Sequence, residues 1–253
     1  MNDRLVIIPT YNEKENIENI VRYVFHLQPD FDIIVIEDNS PDGTAQIVKN
    51  LQKEFPRLFM IERKGKLGLG TAYIAGFKWG LEHGYNYIFE MDADFSHNPD
   101  DLVRLYKACL EGADMAIGSR YATGVNVVNW PMGRVLMSYF ASKYVKTITG
   151  MRIHDATAGF VCYTRKVLEA IDLDHIRFKG YAFQIEMKFT AWTLGFNLKE
   201  VPIIFTDRTL GTSKMSGGIF TEAFLGVITM KLRSLFQKPQ TANEKKEQNE
   251  KSN

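Results

Sequence analysis

Short apolar runs alternate with segments of helical periodicity over the first 118 residues of the chain. In the segments between the runs, apolar side chains recur every three to four residues, which is typical of helices packed on one side. The predicted strands are residues 5–8, 32–36, 58–61, 85–91 and 113–118, and the predicted helices are residues 13–27, 44–55, 70–83 and 99–111. This alternation predicts the α/β fold class, with a mostly parallel central sheet and helices on both of its faces.

Polar residues stand where four of the predicted strands end. They are Thr10-Tyr11-Asn12-Glu13, Glu37-Asp38-Asn39-Ser40, Asp92-Ala93-Asp94 and Ser119-Arg120. Because open α/β sheets bind ligands at the carboxyl ends of their strands, we expect these four groups to converge on one site.

The group Asp92-Ala93-Asp94 places two carboxylates at positions i and i+2 after an apolar run. Side chains at this spacing project from the same face of an extended chain, so the two acids lie close together and repel each other. A hard cation such as Mg²⁺ or Mn²⁺, shared with the phosphates of a substrate, would relieve that repulsion. The pair therefore indicates a metal-bound diphosphate. The alternative is a solvated aspartate pair in a turn before Asn98-Pro99.

Composition excludes some classes of protein. The 253 residues are enough for one large α/β domain, and a formal net charge of +1 gives no basis for nucleic-acid binding. The two cysteines, Cys109 and Cys162, lack metal-ligand spacing, and the polar N-terminus does not resemble a signal peptide. The closest approach to a membrane span is residues 219–236, which contain three charged side chains. We therefore expect a cytoplasmic chain without a spanning helix.

The second half of the chain is less regular. Residues 134–148 and 181–194 have helical periodicity, residues 160–163 and 198–202 are predicted strands, and residues 121–133 and 206–218 are predicted loops. Few apolar residues follow Pro239, which is typical of a disordered tail. We predict one α/β domain at residues 1–218, an amphipathic helix at 219–238 and a polar tail at 239–253.

The glycine-rich segment at residues 65–70 matches neither of the common phosphate-binding motifs. It lacks the Gly-Lys-Ser/Thr ending of a P-loop, and Tyr73 occupies the third glycine position of a dinucleotide fingerprint. The glycine-rich N-terminal signature expected of a nucleotidyltransferase is also absent, since Pro9-Thr10-Tyr11-Asn12-Glu13 follows the first strand.

Five motifs, in order along the chain, resemble those of family-2 inverting glycosyltransferases of the GT-A fold, and in particular the polyprenol-phosphate (dolichol-phosphate) mannosyltransferases. The motifs are Val6-Ile7-Ile8-Pro9-Thr10-Tyr11-Asn12-Glu13, Glu37-Asp38-Asn39-Ser40-Pro41-Asp42-Gly43-Thr44, Lys66-Leu67-Gly68-Leu69-Gly70-Thr71-Ala72, Met91-Asp92-Ala93-Asp94-Phe95-Ser96-His97 and Gly118-Ser119-Arg120-Tyr121. The resemblance runs from about residue 4 to residue 217.

The resemblance implies a catalytic domain that transfers mannose from GDP-mannose to a polyprenyl monophosphate, with inversion at the anomeric carbon. A UDP-sugar such as UDP-glucose is the alternative donor for the same chemistry. A nucleotidyltransferase and an inactive scaffold subunit are the alternatives from other classes of protein.

The resemblance also assigns a donor site. The residues implied to bind the sugar nucleotide are Pro9, Tyr11, Glu13, Asp38, Lys66, Asp92, Ala93 and Asp94. Asp92 and Asp94 would hold Mg²⁺ or Mn²⁺, with Ser96 as a weaker neutral ligand. Glu13 is equally suited to the N-terminus of a helix, where the helix dipole favours acids. Lys66 is either a phosphate ligand or a solvated lysine.

A lipid monophosphate acceptor is already anionic, so it needs docking cations rather than a general base. The Gln-x-x-Arg-Trp motif of hydroxyl-directed relatives is absent from the sequence, which favours such an acceptor. Glu186 either faces the pocket or is a buried structural acid. The resemblance implies an acceptor site formed by Ser119, Arg120, Arg134, Asp155, Arg208 and Lys214, and it assigns catalytic roles to Arg120, Arg208 and Lys214 together with Asp92 and Asp94.

Two amphipathic segments could meet the membrane that holds such an acceptor. Basic residues accompany apolar ones in residues 134–148, and residues 219–236 carry a second apolar face. Packing of both segments onto the protein core is the alternative. We expect a chain that is peripheral on the cytoplasmic face of the membrane, or that a partner protein anchors there.

Overall fold

A seven-stranded sheet is the centre of the computed structural model, which describes residues 2–208, 219–236 and 241. Its strands are β1 (Arg4–Thr10), β2 (Asp32–Glu37), β3 (Leu58–Glu62), β4 (Tyr87–Glu90), β5 (Met115–Ser119), β7 (Val161–Thr164) and β8 (Leu198–Pro202). Two shorter strands, β6 (Val127–Val128) and β9 (Phe205–Thr206), pair with each other in parallel. The strand order β3-β2-β1-β4-β7-β5-β8 is parallel except at β7, which runs antiparallel to both neighbours. The predicted mostly parallel α/β sheet is confirmed.

Helices cover both faces of this sheet. The described helices are α1 (Ile17–Phe25), α2 (Thr44–Leu51), α3 (Leu69–Glu82), α4 (Asp101–Leu110), α5 (Met132–Thr149), α6 (Arg165–Ala170), α7 (Tyr181–Thr193) and α8 (Ile219–Phe236). Helices α1, α2 and α4 pack on one face, and the others pack on the opposite face. Along β1 the side chains alternate, so that Leu5 and Ile7 face the second group of helices while Val6 and Ile8 face the first. Burial on both sides explains why the strands are unbroken apolar runs.

Helix α3 lies close to the sheet because it carries glycines. A Cβ atom at Gly76 would stand 2.7 Å from Ile7, and one at Gly80 would stand 2.8 Å from Ile88. Side chains do not approach so closely, so only glycine fits at these two positions. This packing holds the first turns of α3 beside the end of β4. There the Tyr73 hydroxyl reaches the carboxylate of Asp92, which follows that strand.

Predicted and observed elements differ at their ends and in the second half of the chain. Helix α1 begins at Ile17 rather than at residue 13, because residues 13–16 form a turn in which Asn16 bonds to Glu13. The predicted loop at residues 121–133 contains β6, which pairs with the distant β9. The sequence pattern predicts neither this two-residue strand nor the six-residue helix α6, because such short elements show no periodicity of their own.

Helix α8 packs against the rest of the domain. Val227 and Met230 are buried in the same apolar cluster as α3 and α7, and Tyr144 of α5 stacks on Phe224 with ring centroids 4.4 Å apart. Core packing therefore accounts for one face of this helix. None of the described helices is both long and apolar enough to cross a bilayer. Apart from Thr241, the predicted tail from residue 239 lies outside the described residues.

Candidate functional site

A cavity of about 500 Å³ opens at the carboxyl ends of the sheet strands. Its wall includes residues that follow β1, β2, β4 and β5, as expected for an open α/β sheet. Ser119 and Asp155 are not on this wall, and Lys214 lies outside the described residues. The residues predicted from the sequence that the structure brings together there are Pro9, Tyr11, Glu13, Asp38, Lys66, Asp92, Ala93, Asp94, Ser96, Arg120, Arg134 and Arg208.

Asp38, which follows β2, is held by an arginine that the sequence analysis does not single out. Arg63 Nε and Nη2 donate to the two carboxylate oxygens of Asp38 over 2.5 and 2.7 Å, and Arg63 Nη1 donates to Thr71 Oγ1 over 2.8 Å. The Arg63 and Asp38 side chains are only 9% and 8% exposed. Arg63 directly follows β3, whereas the predicted strand ends one residue earlier, at residue 61. With the observed strand end, Arg63 would have been a candidate, because ligands bind at the carboxyl ends of the strands.

The glycine-rich segment at residues 65–70 covers the same end of the cavity. Leu67 N donates to Asp38 Oδ2 over 3.3 Å, which ties the segment to the strand end below it. Lys66 Nζ lies 5.1 Å from the centroid of the Tyr11 ring, within the range of a cation–π contact. Lys66 thus stands over the tyrosine face at the mouth of the cavity.

The carboxylates of Asp92 and Asp94 follow β4 in a tight turn. Phe95 has a φ of +59°, a conformation that a bulky side chain adopts only under strain. This turn brings Ser96 N within 3.0 Å of Asp94 Oδ1, to which it donates a hydrogen bond. Tyr73 OH donates to Asp92 Oδ1 over 3.4 Å. Both carboxylates therefore have a defined orientation on the cavity wall.

Burial and mutual repulsion perturb the two acids. Burial, and then the charge of Asp94, raise the pKa of Asp92 well above its ordinary value. Burial acts on Asp94 in the same direction, but Ser96 and the Arg208 guanidinium hold the pKa of Asp94 below its ordinary value. The pair thus has an electrostatic strain that a cation between the carboxylates would relieve.

The donor set at this pair fits a hard divalent cation. Beside the two carboxylates, Ser96 Oγ is buried and has no hydrogen-bond partner in the described part of the chain. Oxygen donors of these kinds suit Mg²⁺ or Mn²⁺ better than soft metals. Among the described residues there is no cluster of three or more His, Cys, Asp or Glu side chains suited to a metal. A cation here would therefore need further oxygens from a bound substrate or from water.

His97 is a buried residue of the wall that the predicted site does not include. It is 3% exposed, and its ring stacks on Phe160 with centroids 4.8 Å apart. Burial lowers the pKa of His97 below its ordinary value, so the ring is neutral at neutral pH. The imidazole therefore shapes the wall next to the carboxylate pair without adding a charge.

Arg120, which is also on the cavity wall, forms a buried ion pair. Its Nε and Nη2 donate to Asp155 Oδ2 and Oδ1 over 2.7 and 2.6 Å, and Nη2 also donates to Thr157 Oγ1 over 2.8 Å. The two side chains of the pair are 7% and 0% exposed. The Asp155 carboxylate orients Arg120 and is not on the cavity wall, so the acceptor role predicted for Asp155 would be exerted through Arg120.

Ser119 also lies away from the cavity wall. It is fully buried, and its hydroxyl oxygen accepts a hydrogen bond from Tyr121 N over 3.2 Å. Side chains alternate along an extended chain, so Ser119 and Arg120 point in opposite directions and only Arg120 reaches the wall. A direct acceptor contact of Ser119 stays a prediction, and its side chain is not on the wall that would provide it.

Arg134 and Arg208 are two more exposed cations of the cavity wall. Arg134 Nη1 pairs with Asp207 Oδ1 over 2.9 Å, and these side chains are 31% and 29% exposed. Arg208 Nη2 lies 2.9 Å from Asp94 Oδ2. The Arg134 guanidinium also lies 4.1 Å from the centroid of a Trp130 ring. The pair of Arg134 and Asp207 is open to water and therefore weak, so Arg134 can turn towards an anion in the cavity. The partner of Arg208 is Asp94, which is only 5% exposed, so this arginine is held more firmly at the carboxylate pair.

Glu186 has a structural role and does not line the cavity. Its Oε2 accepts hydrogen bonds from Arg177 N over 2.9 Å and from Phe178 N over 3.0 Å. These bonds fix the loop that leads into α7, whose preceding residue Gly180 is on the cavity wall. Of the two interpretations of Glu186, the buried structural acid is correct.

A comparison with known families shows which class of protein carries this site. The sequence model of Glycosyl transferase family 2 matches residues 5–172, more than half of the chain. The chain belongs to glycosyl transferase family 2. The matched residues include β1 to β7, and hence the carboxylate pair, Arg120 and Arg134.

Two curated proteins resemble this family-2 glycosyltransferase over most of their length. Polyprenol monophosphomannose synthase of Mycolicibacterium smegmatis is 50% identical over 230 residues, which are 90% of this chain and 87% of that protein. Undecaprenyl-phosphate mannosyltransferase of Micrococcus luteus is 47% identical over 223 residues, which are 88% of this chain and 91% of that protein. Both alignments are longer than the span matched by the family, so the similarity includes the second half of the chain.

A solved structure shares the fold of this family-2 glycosyltransferase. Glucosyl-3-phosphoglycerate synthase from Mycobacterium tuberculosis, solved with Mn²⁺, UDP and glucosyl-3-phosphoglycerate, matches with a TM-score of 0.65 at 17% identity. The match covers 92% of this chain and 79% of that chain. At this identity the likeness concerns the fold alone, and it confirms the predicted GT-A architecture.

Proposed function

We propose that this chain transfers one mannosyl residue from GDP-mannose to the phosphate of a polyprenyl monophosphate, with inversion at the anomeric carbon. The observation that carries the proposal is the similarity, at 50% and 47% identity, to two proteins whose names both specify mannose and a polyprenyl phosphate. The cavity supports it, because its wall brings the carboxylates of Asp92 and Asp94 together with three arginines, Arg120, Arg134 and Arg208.

The nucleoside of GDP-mannose is assigned to the end of the cavity at β1 and β2. Tyr11 offers a ring face there, and Glu13 and Asp38 can accept hydrogen bonds from the base and ribose. Arg63 fixes the Asp38 carboxylate, so its remaining lone pairs point in defined directions. Lys66, over the Tyr11 ring, is close enough to the mouth to contact a phosphate of the same ligand.

The diphosphate of the donor is assigned to the carboxylate pair. Asp92 and Asp94, with the Ser96 hydroxyl, would hold a divalent cation, Mg²⁺ or Mn²⁺, whose chemistry is to neutralise the charge that develops on the departing diphosphate. Tyr73 and the strained turn after Asp94 keep the two carboxylates oriented before the donor arrives. Such preorganisation avoids rearrangement of charged groups during the reaction.

The acceptor phosphate is assigned to the arginines. Planar guanidinium groups suit bidentate contacts with phosphate, so Arg134 and Arg208 are placed to bind it, and the buried Arg120 adds a fixed positive charge behind them. A phosphate oxygen forms a bond to the anomeric carbon while the bond from that carbon to the β-phosphate oxygen breaks, and the electron pair leaves with GDP. Since the acceptor oxygen is already anionic, no side chain need remove a proton.

We place the polyprenyl chain of the acceptor beside an apolar surface formed by α5 and α8. Arg134 is on the cavity wall and also belongs to α5, so a phosphate at Arg134 would leave its lipid chain next to this helix. Basic Lys143 and Lys146 accompany the apolar residues of α5, a pattern typical of helices at a membrane interface. The chain is accordingly proposed to work as a peripheral protein at the cytoplasmic face of the membrane. The large exposed apolar residues of the surface are Met132, Leu136, Met137, Phe140, Phe224, Leu225, Leu232 and Leu235.

A donor panel tests the proposed function. The purified chain is incubated with Mn²⁺ or Mg²⁺, undecaprenyl phosphate and one radiolabelled donor, either GDP-mannose or UDP-glucose, and label in the lipid phase is counted. We expect label from GDP-mannose only, and none when undecaprenol replaces its phosphate. Transfer from UDP-glucose but not from GDP-mannose would show that the assigned donor is wrong.

A further inference from the structure

Behind the wall of the cavity lies a buried polar cluster that the reaction described above does not use. It consists of Glu90 at the end of β4 and of Gln184 and Lys188 on α7. Their exposed fractions are 0%, 3% and 0%. Charged and amide groups are costly to bury unless they are hydrogen-bonded, and buried ion pairs add little net stability. Since stability alone does not explain the cluster, its position next to the cavity points to a role in binding.

Hydrogen bonds hold the amide of Gln184 in one orientation. Lys188 Nζ donates to Gln184 Oε1 over 3.2 Å, and Gln184 Nε2 donates to Glu90 Oε2 over 2.7 Å. Because an ammonium group can only donate, the amide oxygen must face Lys188 and the amide nitrogen must face Glu90. The other donors of Lys188 reach Ala158 O and Gln184 O over 2.6 and 3.1 Å, and Tyr163 OH donates to Glu90 Oε1 over 3.3 Å.

The amide nitrogen of Gln184 keeps one N–H for another acceptor. It carries two N–H groups, and within the described part of the chain its one acceptor is Glu90. Gln184 is on the cavity wall, as are Ala158 and Gly159. A Cβ atom at Gly159 would stand 3.7 Å from Gln184 Nε2. The lack of a side chain at residue 159 therefore leaves this nitrogen uncovered.

The uncovered amide lies on the side of the cavity where the sugar of a donor belongs. Glu90 and Asp92 are two residues apart at the end of one strand, so their side chains share a face, and Gln184 is bonded to Glu90. With the nucleoside at Tyr11 and the diphosphate at Asp92, the hexose must occupy the wall beyond the carboxylates. Gly159 and Gln184 are on the cavity wall, and the bond from Gln184 to Glu90 places them next to the carboxylates.

We propose that Gln184 is a specificity-determining residue whose second amide N–H donates to one hydroxyl group of the hexose in the sugar nucleotide. The inference rests on the proposed function, since it requires that the cavity hold a sugar nucleotide. Glu90 and Lys188 are positioning residues that act on the sugar only through Gln184. An amide locked in this way discriminates against a hexose that lacks the hydroxyl group, because the buried donor would then stay unpaired.

The first test places a methyl group over the Gln184 amide and leaves the three residues of the cluster unchanged. Gly159→Ala adds a methyl group in ordinary van der Waals contact with Gln184 Nε2, so the fold should tolerate it. We expect GDP-mannose to bind about 3- to 10-fold more weakly in calorimetry, as for the loss of one hydrogen bond. Binding of GDP, which has no sugar, should not change. Gly133→Ala, whose added Cβ meets nothing within 4 Å, is the matched control and should leave both affinities unchanged.

The second test identifies the hydroxyl group. GDP-mannose analogues that each lack one hydroxyl are compared on the wild-type chain and on Gln184→Met, which keeps the side-chain length but has no donor. On the wild type, one analogue should bind about 3- to 10-fold more weakly than GDP-mannose. In Gln184→Met, this one analogue should bind as tightly as GDP-mannose, and the other analogues should behave as they do on the wild type. Thermal unfolding shows whether Gln184→Met is folded. If this variant is not folded, the same analogues are compared on Gly159→Ala.

Two results would overturn the inference. Equal losses for GDP and GDP-mannose in Gly159→Ala would mean that the cluster supports only the local structure. Unchanged affinities for both ligands would mean that the amide does not contact the sugar. Failure of the proposed function is a separate result. If the wild-type chain binds UDP-glucose and not GDP-mannose, the assigned donor is wrong, and the comparison of UDP-glucose with UDP in the same variants still tests Gln184.

Discussion

The donor and acceptor ends of the cavity differ in how their charged side chains are paired. At the donor end, Asp92 and Asp94 lie side by side, and burial raises the pKa of Asp92. Each described arginine assigned to the acceptor has an aspartate partner: Arg120 with Asp155, Arg134 with Asp207, and Arg208 with Asp94 of the donor pair. Under the proposed function, an added cation would complete the donor end, whereas the acceptor phosphate would have to replace a carboxylate of the protein.

The acceptor end itself contains a fixed arginine and a movable one. Arg120 and Asp155 are bound to each other by two hydrogen bonds and are almost fully buried. Arg134 makes a single bond to Asp207, and about a third of each of these side chains is exposed. An exposed aspartate returns to water when a phosphate displaces it, but a buried one cannot. This difference supports the proposal that Arg134 contacts the acceptor phosphate directly while Arg120 stays in place behind it.

Asp94→Asn should have the largest effect on the reaction, because it removes one of the two carboxylates that hold the cation. We expect kcat to fall by about 100-fold or more, since Lewis-acid stabilisation of a leaving group contributes several kcal/mol. Excess EDTA should reduce wild-type activity in the same assay. Asp174→Asn, at a carboxylate whose side chain is 74% exposed, is the control and should retain the wild-type rate. Full turnover of Asp94→Asn would contradict the role assigned to the donor end.

Asp155→Asn should destabilise the protein, because it leaves Arg120 buried without its counter-charge. Breaking a buried pair in this way costs about 3–5 kcal/mol, whereas Glu54→Gln, at an exposed partner of Arg22, should cost far less because water screens that pair. Both values are measured by urea unfolding at neutral pH. Similar losses in the two variants would remove the distinction between fixed and movable pairs.

The effect of Asp155→Asn should also depend on pH. Burial acts to raise the pKa of Asp155, but the Arg120 charge and hydrogen bonds hold it below its ordinary value. A carboxylate with a depressed pKa stabilises the fold above its unfolded pKa of about 3.9, and this stabilisation is lost as the pH falls through the lower folded pKa. The difference in unfolding free energy between wild type and variant should therefore be largest at neutral pH and shrink below about pH 4. A difference that grows with acidity would contradict the assigned ion pair.

Arg134→Ala and Arg208→Ala should change the kinetics of the acceptor and of the donor differently. Each variant loses charge-assisted hydrogen bonds to the acceptor phosphate, so kcat/KM for polyprenyl phosphate should fall about 10- to 100-fold. Arg134→Ala should leave the KM for GDP-mannose unchanged, while Arg208→Ala should raise it, because Arg208 also contacts Asp94. Lys107→Ala, at a side chain that is 75% exposed, is the control for the loss of one positive charge. An increase of the GDP-mannose KM in Arg134→Ala would show that this arginine serves the donor.

Lys66→Met should have the smallest effect. It removes the cation–π contact with Tyr11 and a charge near the phosphates, and contacts of this kind at exposed sites contribute about 0.5–1 kcal/mol. We expect the KM for GDP-mannose to rise about 2- to 5-fold, with no change for the acceptor. The neighbouring exposed Lys64→Met is the control and should behave like the wild type. Equal kinetics in both variants would mean that Lys66 is a solvated lysine.

The donor end was the more predictable part of the site because its determinants are local in sequence. Asp92 and Asp94 are two residues apart, and Tyr11, Glu13 and Asp38 directly follow strands that apolar periodicity reveals. Any residue at such a strand end is a candidate before the fold is known.

The rest of the site depends on contacts between distant segments, which periodicity does not describe. Asp155 meets Arg120 only because β7 inserts between β4 and β5 and brings the preceding loop under the cavity. Gln184 meets Glu90 across 94 residues of chain. For the same reason the sequence could not distinguish an Asp155 that binds an acceptor from one that holds an arginine.

The configuration of the product tests the central claim most directly. The chain is incubated with a divalent cation, GDP-mannose and a short-chain polyprenyl phosphate, and the anomeric linkage of the mannosyl phosphate formed is determined by NMR. Direct attack by the acceptor phosphate, without a covalent intermediate or a protein base, predicts a β-linked mannosyl phosphate from the α-linked donor. An α-linked product, or release of free mannose in place of transfer, would contradict it.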